Sequence, residues 1–356
     1  MTSQAKEARY RVVQWATGNV GARALRRAIE HPALDLVGVY VHSADKAGRD
    51  AGELAGTAPT GILATNSIDD VIALKPDCVL YMPHQTNIDE IVRLLESGAN
   101  IVTTRGDFHR AESMDPAVRE RIEQACARGG ASIHSTGSSP GFITEAVPIV
   151  LASIQRRIDA ISINEFADCA SRDSPAMIFE IMGFGQKPGG SPEADQARYD
   201  YLRDAFGPSL HHLADALGLR IDAFAASGGV GVARADTMIA AGLVPAGTVA
   251  AQRTRISGMR DGKAVISFTA TWYVSTDVDT SDGEAWDFRG SGWHIVIDGD
   301  CPLDVAISFP VAPEDYAEMT PGLTAHRPVN VVRYVCEAPP GIRTTADLPQ
   351  IIAQLG

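Results

Sequence analysis

The stretch RVVQWATGNVGARALRRAI, residues 11–29, decides the fold of this chain. An apolar run leads into ATGNVG (residues 16–21) and then into a basic segment of helix-forming residues. Gly18 and Gly21 stand at the second and third positions of the dinucleotide-binding fingerprint, where the backbone approaches a pyrophosphate and the helix packs closely on the strand. Ala16 stands at the first position, where the chain turns tightly and a small residue suffices.

The surroundings of this motif favour a nucleotide site. The motif follows a predicted strand and opens a predicted helix, which is the context that the fingerprint requires, and the amino end of that helix offers N–H groups to an anion. An ordinary glycine-containing corner between a strand and a helix is the alternative. We expect the loop to contact a dinucleotide through Thr17, Gly18, Asn19, Val20 and Gly21.

The rest of the first 135 residues repeats the same alternation. Short apolar strands such as DCVLYMP, NIVTT and ASIHS are separated by amphipathic helices such as NIDEIVRLLESG and PAVRERIEQACARG. Nearly continuous apolar strands indicate a parallel sheet covered on both faces. The pattern therefore predicts an α/β fold, with a Rossmann doubly wound parallel sheet as the dinucleotide-binding domain.

Residues 136–315 have a different pattern. Two helical stretches, joined by a Pro- and Gly-rich linker at 186–193, are followed by long alternating strands such as GTVAAQRTRISGMR and KAVISFTATWYVST. Asp261-Gly262 is a hairpin signal between those two strands. We expect an α+β domain for substrate binding and dimerisation, with an open antiparallel sheet, and a tail at 316–356 that returns to the first domain.

The composition limits the partners. The chain has 356 residues and a formal net charge of −13, which disfavours binding to nucleic acid and to anionic membranes. Its five cysteines include no CxxC pair, and the first residues lack the apolar core of a secretory signal, so we expect a cytoplasmic protein with reduced thiols. No His, Cys and carboxylate spacing matches a metal site. An open sheet face predicts a homodimer.

The end of the second strand bears on the choice of cofactor. In NAD-binding proteins an acidic residue there usually takes the ribose hydroxyls. Here the segment reads VYVHSADKAGRD, with no acid before Asp45. His42, Ser43 and Lys46 are suited to a 2′-phosphate, which favours NADP, with NAD also possible. A solvated polar loop is the alternative.

Several blocks of the sequence resemble a known family. WATGNVG, HSADKAGRDAGELAG, NIVTTRGDFHR, GSSPGFITEAVPIVL, IFEIMGFG and HRPVNVVRYVCEAPPGIRTTADLP are similar to segments of proteins related to dihydrodipicolinate reductase and 2,4-diaminopentanoate dehydrogenase. That group includes the native NAD(P)H-dependent amine dehydrogenases. The resemblance implies a Rossmann domain, a C-terminal substrate domain and hydride transfer at a C=N or C=O carbon.

Two motifs that related enzymes carry are absent from this chain. ASRDSPAM lacks the lysine and the Gly-Thr of the dihydrodipicolinate reductase segment, and His211-His212 lies in a helical stretch that favours a packing role. Sugar oxidoreductases of similar plan carry Glu-Lys-Pro after the fifth strand, whereas residues 103–107 read TTRGD. The sequence therefore predicts neither dihydrodipicolinate reduction nor a lysine general base.

The acid in that loop is the candidate catalytic residue. The resemblance implies that Asp107 matches the catalytic glutamate of the amine dehydrogenases, which holds ammonia and pairs with the iminium cation. A carboxylate in a dry pocket stabilises a cation and can accept a proton. Asp107 is one methylene shorter than Glu. The alternative is that Asp107 merely caps the following segment.

The sequence offers further candidates for contacts with the substrate and the cofactor. Glu165, on a long strand, and His109 are candidate substrate contacts, although Glu165 would fit a solvated sheet face equally well. His134 is a possible donor to a carbonyl oxygen. Phe142 resembles the pocket aromatic of the family, and further apolar lining is expected from Phe166, Phe179 and Met182. Additional cofactor contacts are expected at strand ends and in the returning tail: Met82, Pro83, Thr103, Thr104 and Asn330.

The sequence thus predicts an NAD(P)H-dependent oxidoreductase that reductively aminates a small ketone or aldehyde. A carbonyl or cyclic-imine reductase that does not use ammonia is the first alternative. A nucleotide-binding sensor without turnover is the second.

Overall fold

The structure is a computed structural model that describes residues 9–189 and 192–355, without the side chains of residues 192–198, 313, 314 and 317. The chain forms two compact units. The first contains residues 1–142 and 320–356, and the second contains residues 143–319. The predicted domain boundaries, at 135 and 315, precede these divisions by a few residues. Residues 1–8 and part of the predicted linker at 186–193 lie outside the described residues.

The first unit is built on a parallel sheet of seven strands, in the order β16-β6-β5-β4-β1-β2-β3. The strands are β1 Tyr10–Trp15, β2 Leu34–Tyr40, β3 Ala64–Thr65, β4 Cys78–Tyr81, β5 Asn100–Thr103, β6 Ser132–Ser135 and β16 Gly341–Arg343. The helices are α1 Asn19–Glu30, α2 Ala51–Ala55, α3 Ile68–Ala73, α4 Ile88–Glu96, α5 Pro116–Gly129 and the later part of α8 Pro313–Cys336. This is the predicted doubly wound fold.

The strands of the first sheet are buried on both faces. Alternate residues of β1 point into two cores: Val12 packs into one with Leu25 of α1, and Val13 packs into the other with Ile91 of α4 and Ile122 of α5. All five of these side chains are inaccessible to solvent. This double burial explains why the strands are continuous apolar runs and not alternating ones.

The second unit contains a mixed sheet of seven strands, in the order β13-β8-β11-β12-β7-β14-β15. The strands are β7 Ile158–Asp168, β8 Ala223–Ala233, β11 Val249–Arg260, β12 Lys263–Tyr273, β13 Val278–Thr280, β14 Gly292–Gly299 and β15 Leu303–Ser308. A separate hairpin, two α-helices and a π-helical segment also belong to the unit: β9 Thr237–Ile239, β10 Gly242–Val244, α6 Val147–Ala152, α7 Pro192–Ala216 and the π-helical segment Ala176–Ile181. On α7, the Phe206 ring stacks on Phe268 of β12 at 4.3 Å between centroids.

The second sheet differs in one respect from the antiparallel sheet expected from its strands. β7 and β12 run parallel, whereas the other five neighbouring pairs are antiparallel. The parallel pair arises because the chain leaves β7, forms α7 and four further strands of the unit, and only then returns as β12 beside β7. A crossover of that length can bring a strand back in either direction. The alternation of polar and apolar residues along a strand does not specify that direction.

Candidate active site

The first glycine position of the nucleotide motif is filled by an alanine in the left-handed conformation. Ala16 has φ of +72°, a region that L-residues other than glycine rarely adopt. The amide of the buried Gln14 stabilises this turn, because its Nε2 donates hydrogen bonds to the carbonyl oxygens of Ala16 at 2.9 Å and Trp15 at 3.2 Å. The turn that the fingerprint needs is therefore made without its glycine.

The two remaining glycines have different surroundings. A Cβ on Gly21 would lie 2.2 Å from the carbonyl oxygen of Ala16, so the close contact between helix and turn excludes any side chain there. A Cβ on Gly18 would meet no protein atom within 4 Å. Gly18 therefore leaves open space at the amino end of α1, where the first N–H groups of a helix have no intrahelical partner. This cradle fits the pyrophosphate of a dinucleotide.

The residues expected to distinguish NADP from NAD lie after β2. The Lys46 ammonium donates to the carbonyl oxygen of Thr17 at 3.1 Å, which places its positive charge beside the cradle. Ser43 donates to Asp45, and the His42 ring meets Tyr40 edge-on at 5.1 Å. The pKa of Asp45 is lowered, chiefly by the Ser43 hydrogen bond and with further help from Lys46, so this carboxylate is held as an anion among donors.

Asp107 lies just beyond β5, at the same edge of the sheet as the cradle. Its Oδ2 accepts a hydrogen bond from the Thr86 hydroxyl at 2.7 Å and lies 3.6 Å from Nε of Arg105. Its side chain is 44% exposed. Within the described chain its Oδ1 has no hydrogen-bond partner. Asp107 lies inside the short helix Gly106–Phe108, and the next helix, Ala111–Ser113, has no side-chain cap, so the structure does not support the alternative that Asp107 caps the following segment.

The loop that carries Asp107 is held in place by hydrogen bonds to β5 and β6. The backbone N–H of Phe108 donates to the Ser135 hydroxyl at 3.2 Å, and that hydroxyl donates to the carbonyl oxygen of Arg105 at 2.7 Å. The Thr103 hydroxyl accepts from the backbone N–H of Arg105 at 3.1 Å. Thr104, Met82 and Pro83 leave β5 and β4 at this same edge. Asp107 is therefore presented from a rigid loop.

Phe142 has a neighbour that the sequence analysis did not single out. The guanidinium carbon of Arg327, on α8, lies 5.6 Å from the centre of the Phe142 ring. Nε of Arg327 donates to the Thr136 hydroxyl at 2.8 Å, just beyond β6. Arg327 belongs to the same HRPVN segment as Asn330, and its charge was the only signal in that segment that distinguished it.

Asn330 lies away from this edge. It borders a cleft of about 10 Å³ together with Tyr10 and Leu34, the first residues of β1 and β2, and with His31. The amino ends of β1 and β2 lie opposite the carboxyl ends that carry the cradle. Since the cleft has room for no more than a water molecule, this placement does not support the expected contact between Asn330 and nicotinamide.

The candidate histidines are enclosed. His109, two residues after Asp107, is buried, with 2% of its surface exposed. His134 is also buried, and its Nδ1 lies 2.7 Å from the carbonyl oxygen of Arg343 in β16. The contact joins His134 to the returning tail, which indicates a structural role for this side chain.

Glu165 of the second unit is held by two indoles. Its Oε1 accepts from Nε1 of Trp272 at 3.1 Å, and its Oε2 accepts from Nε1 of Trp293 at 3.0 Å. Both carboxylate oxygens therefore have a donor, and the side chain is half-buried. A solvated sheet face would not supply two such donors.

Trp293 also lines a cavity of about 450 Å³ that belongs entirely to the second unit. Phe166, Phe309 and Tyr316 contribute further aromatic rings to its wall. Burial raises the pKa of Tyr316, so its hydroxyl stays protonated at neutral pH. Phe179 and Met182 pack against a separate core and do not line this cavity. Its size is within the range of small-molecule pockets.

Over residues 9–189 and 192–355, no group of three or more His, Cys, Asp or Glu side chains is placed to hold a metal ion. In the same residues no helix combines the length and the apolar character needed to cross a membrane.

Comparisons with known proteins agree with this architecture. Residues 204–356 match the family model of the 2,4-diaminopentanoate dehydrogenase C-terminal domain. An amine dehydrogenase of Streptomyces virginiae is 30% identical, with 95% of each chain aligned. The 2,4-diaminopentanoate dehydrogenase of Acetoanaerobium sticklandii is 22% identical over 97% of this chain and 95% of its own. The structure of an amine dehydrogenase from Mycobacterium smegmatis superposes with a TM-score of 0.74 at 19% identity, covering 98% of both chains.

Proposed function

The chain belongs to the family of amine dehydrogenases and 2,4-diaminopentanoate dehydrogenases, and we propose that it catalyses the NAD(P)H-dependent reductive amination of a small ketone or aldehyde. In balance, the carbonyl compound, ammonia, the reduced cofactor and one proton give the amine, water and the oxidised cofactor. The observation that carries the proposal is the exposed carboxylate of Asp107, at the edge of the sheet that also carries the Gly18 cradle.

The proposed role of the cradle is to bind the cofactor. Gly18 and the amino end of α1 receive the pyrophosphate, and Gly21 keeps the helix close enough to the turn. A bound nicotinamide supplies the hydride that the reaction requires. The dinucleotide therefore uses N–H donors and space that the folded chain already provides.

Asp107 is the proposed catalytic residue. Thr86 fixes Oδ2 by its hydrogen bond, and Oδ1 remains available to an ammonium or iminium cation. A carboxylate at that point stabilises positive charge as the carbonyl becomes an imine and accepts a proton from the nitrogen that ammonia contributes. Nε of Arg105 lies 3.6 Å from the same carboxylate oxygen and helps to hold it in place.

The test is NADPH oxidation with a panel of small ketones and aldehydes, with and without ammonium, in the wild type and Asp107→Asn. We expect ammonium-dependent turnover that falls about 100-fold or more in the variant, the usual range for removal of a general base. Asp69→Asn is the matched control, because it removes an exposed Asp–Arg pair of the same unit. Turnover without ammonium would identify a carbonyl or imine reductase, and NADPH binding without turnover would identify a sensor.

We propose NADPH as the preferred cofactor, with NADH as a weaker substitute. The support is the Lys46 ammonium beside Thr17 and the absence of an acid directly after β2. In Lys46→Gln we expect the Kd for NADPH to rise about tenfold or more and the Kd for NADH to change little. Lys263→Gln, on a hairpin of the second unit, is the control. Equal effects on both cofactors would contradict the preference.

We also propose a cytoplasmic homodimer formed through one face of the second sheet. That face carries small and polar side chains that are half-buried in the single chain, including Ser162 and Asn164 of β7 and Ser267 of β12. A second copy would cover them with an identical surface. Sedimentation equilibrium at micromolar concentration would give a mass of twice 37.8 kDa for the dimer, and a single-chain mass would contradict it.

A further inference from the structure

We propose that Gln14 is a positioning residue for the dinucleotide: its side-chain amide holds the cradle in the binding conformation and so replaces the glycine that is absent from position 16. This inference rests on the proposed cofactor role of the cradle. Gln14 does not itself reach the ligand, because it is fully buried in the first unit. Its effect on the dinucleotide passes through the backbone of Ala16 and Thr17.

Three consecutive peptide groups lead from β1 into the cradle, and each is held by a different neighbour. In the first, the N–H of Ala16 donates to the carbonyl oxygen of Tyr40 at 2.8 Å. In the third, the carbonyl oxygen of Thr17 accepts from the Lys46 ammonium at 3.1 Å. In the second, the carbonyl oxygen of Ala16 accepts from Nε2 of Gln14 at 2.9 Å, and it has no other donor among the described residues. Gln14 therefore fixes the peptide that follows Ala16.

The orientation of this peptide determines where the N–H of Thr17 points. A trans peptide directs its C=O and its N–H to opposite sides. The carbonyl oxygen of Ala16 lies against α1, only 2.2 Å from where a Cβ on Gly21 would be, so the N–H of Thr17 is directed away from that helix. In the described part of the chain, neither this N–H nor that of Gly18 has a hydrogen-bond partner. Two backbone donors are thus left for a pyrophosphate, which such groups of N–H donors bind.

An alanine needs this support more than a glycine would. The left-handed conformation is unfavourable for L-residues because Cβ comes too close to a carbonyl oxygen, whereas glycine adopts it readily. Without the amide of Gln14, Ala16 would leave its φ of +72° in most molecules. A ligand that requires this turn would then bind about tenfold more weakly, because only a minor fraction of the protein could accept it.

The surroundings of the amide indicate that Gln14 does more than fill the core. Its Oε1 is buried and has no hydrogen-bond partner among the described residues. An unpaired buried acceptor lowers stability, and an apolar side chain of similar size would avoid that loss. The contribution of the amide therefore lies in its Nε2, which donates to the carbonyl oxygens of Trp15 and Ala16.

The test is a double-mutant cycle of Gln14→Met and Ala16→Gly, with the Kd for NADPH measured by fluorescence titration in the absence of substrate. We expect Gln14→Met alone to raise the Kd about tenfold. In the Ala16→Gly background the same substitution should raise the Kd less than about threefold, because glycine takes the positive φ without help from the amide. A role for Gln14 in core packing alone would give the same change in both backgrounds.

Val12→Ala is the matched control, because Val12 lies two residues earlier on the same face of β1 and packs into the core that contains Leu25. It should lower the denaturation midpoint and have the same effect on the Kd whether residue 16 is substituted or not. An unchanged Kd in Gln14→Met, or an equal rise in both backgrounds, would overturn the inference. If Gln14→Met does not fold, Gln14→Asn, whose amide is one methylene farther from Ala16, supplies the same comparison.

The titration also separates this inference from the proposed function. A wild type that binds neither NADPH nor NADH would overturn the cradle and the role of Gln14 together. Binding of NADPH with a Kd that does not depend on Gln14 would overturn the inference alone. Binding that depends on Gln14, in a protein without ammonium-dependent turnover, would support the inference and contradict the proposed amination.

Discussion

The two edges of the first sheet differ in the exposure and the hydrogen bonding of their polar side chains. At the carboxyl edge, Asp107 and Arg105 are partly exposed and each keeps an atom free for a ligand. At the amino edge, His31 is almost fully buried and Tyr10 donates its hydroxyl to Glu337 at 2.8 Å. The same sheet therefore offers unsatisfied groups at one edge and enclosed groups at the other. A polar ligand gains new hydrogen bonds only where the fold has left donors and acceptors unused.

The strongest test of this contrast compares the two glycines of the cradle. Gly21→Ala would force a Cβ against the carbonyl oxygen of Ala16, so we expect a loss of about 3 kcal/mol in the free energy of unfolding. Gly18→Ala should leave the free energy of unfolding nearly unchanged and raise the Kd for NADPH about tenfold or more. Chemical denaturation and fluorescence titration measure the two quantities. Equal destabilisation by both substitutions would contradict a cradle that is shaped for a ligand.

The enclosure of polar groups at the amino edge can be tested by measuring stability as a function of pH. Burial, with smaller effects from Arg27 and Arg9, lowers the pKa of His31 to about 4. The unfolded chain takes up the proton near pH 6.5 and the folded chain only near pH 4, so stability is complete above pH 6.5 and falls as the pH drops between these values. The loss attributable to His31 is about 3 kcal/mol at pH 4.

In His31→Asn we expect this part of the pH dependence to disappear. Denaturation midpoints measured from pH 7 to pH 4 in both proteins give the difference in slope. His326, whose pKa burial also lowers, contributes equally to both proteins. Parallel curves would show that folding does not lower the pKa of His31 and that the amino edge does not enclose this ring.

The smallest effect is expected at the turn of the cradle. Ala16→Gly relieves the positive φ of +72° and should raise the free energy of unfolding by up to about 1 kcal/mol. Thermal denaturation is sensitive enough to detect this gain. A decrease would mean that the hydrogen bonds from Gln14 already remove the strain.

The cradle could be predicted from the sequence because its requirements are local. Gly18 and Gly21 are needed by the backbone itself, and the strand before them and the helix after them are visible as apolar patterns. The contacts of Asp107 could not be predicted in this way. Thr86 is 21 residues away and reaches Asp107 only because β4 and β5 are neighbours in the sheet.

The predicted site residue in the C-terminal tail also depended on contacts that the sequence does not show. The HRPVN segment was expected to contribute a residue to the site, and it contains both Arg327 and Asn330. Sequence alone could not decide which of two polar residues on one helix reaches Thr136, because that depends on where α8 crosses the sheet.

In the second unit, the two indoles that hold Glu165 come from β12 and β14, more than 100 residues further along the chain.

The last strand of the first sheet has a consequence for how the protein is made. β16, at residues 341–343, pairs with β6, at residues 132–135, so about 200 residues separate two neighbours of one sheet. A ribosome must therefore release the whole second unit before the first can close its sheet. Until then β6 is a bare edge with unpaired backbone groups, which other nascent chains can join. The interval between synthesis of β6 and β16 is therefore the period in which the first sheet is most open to incorrect strand pairing.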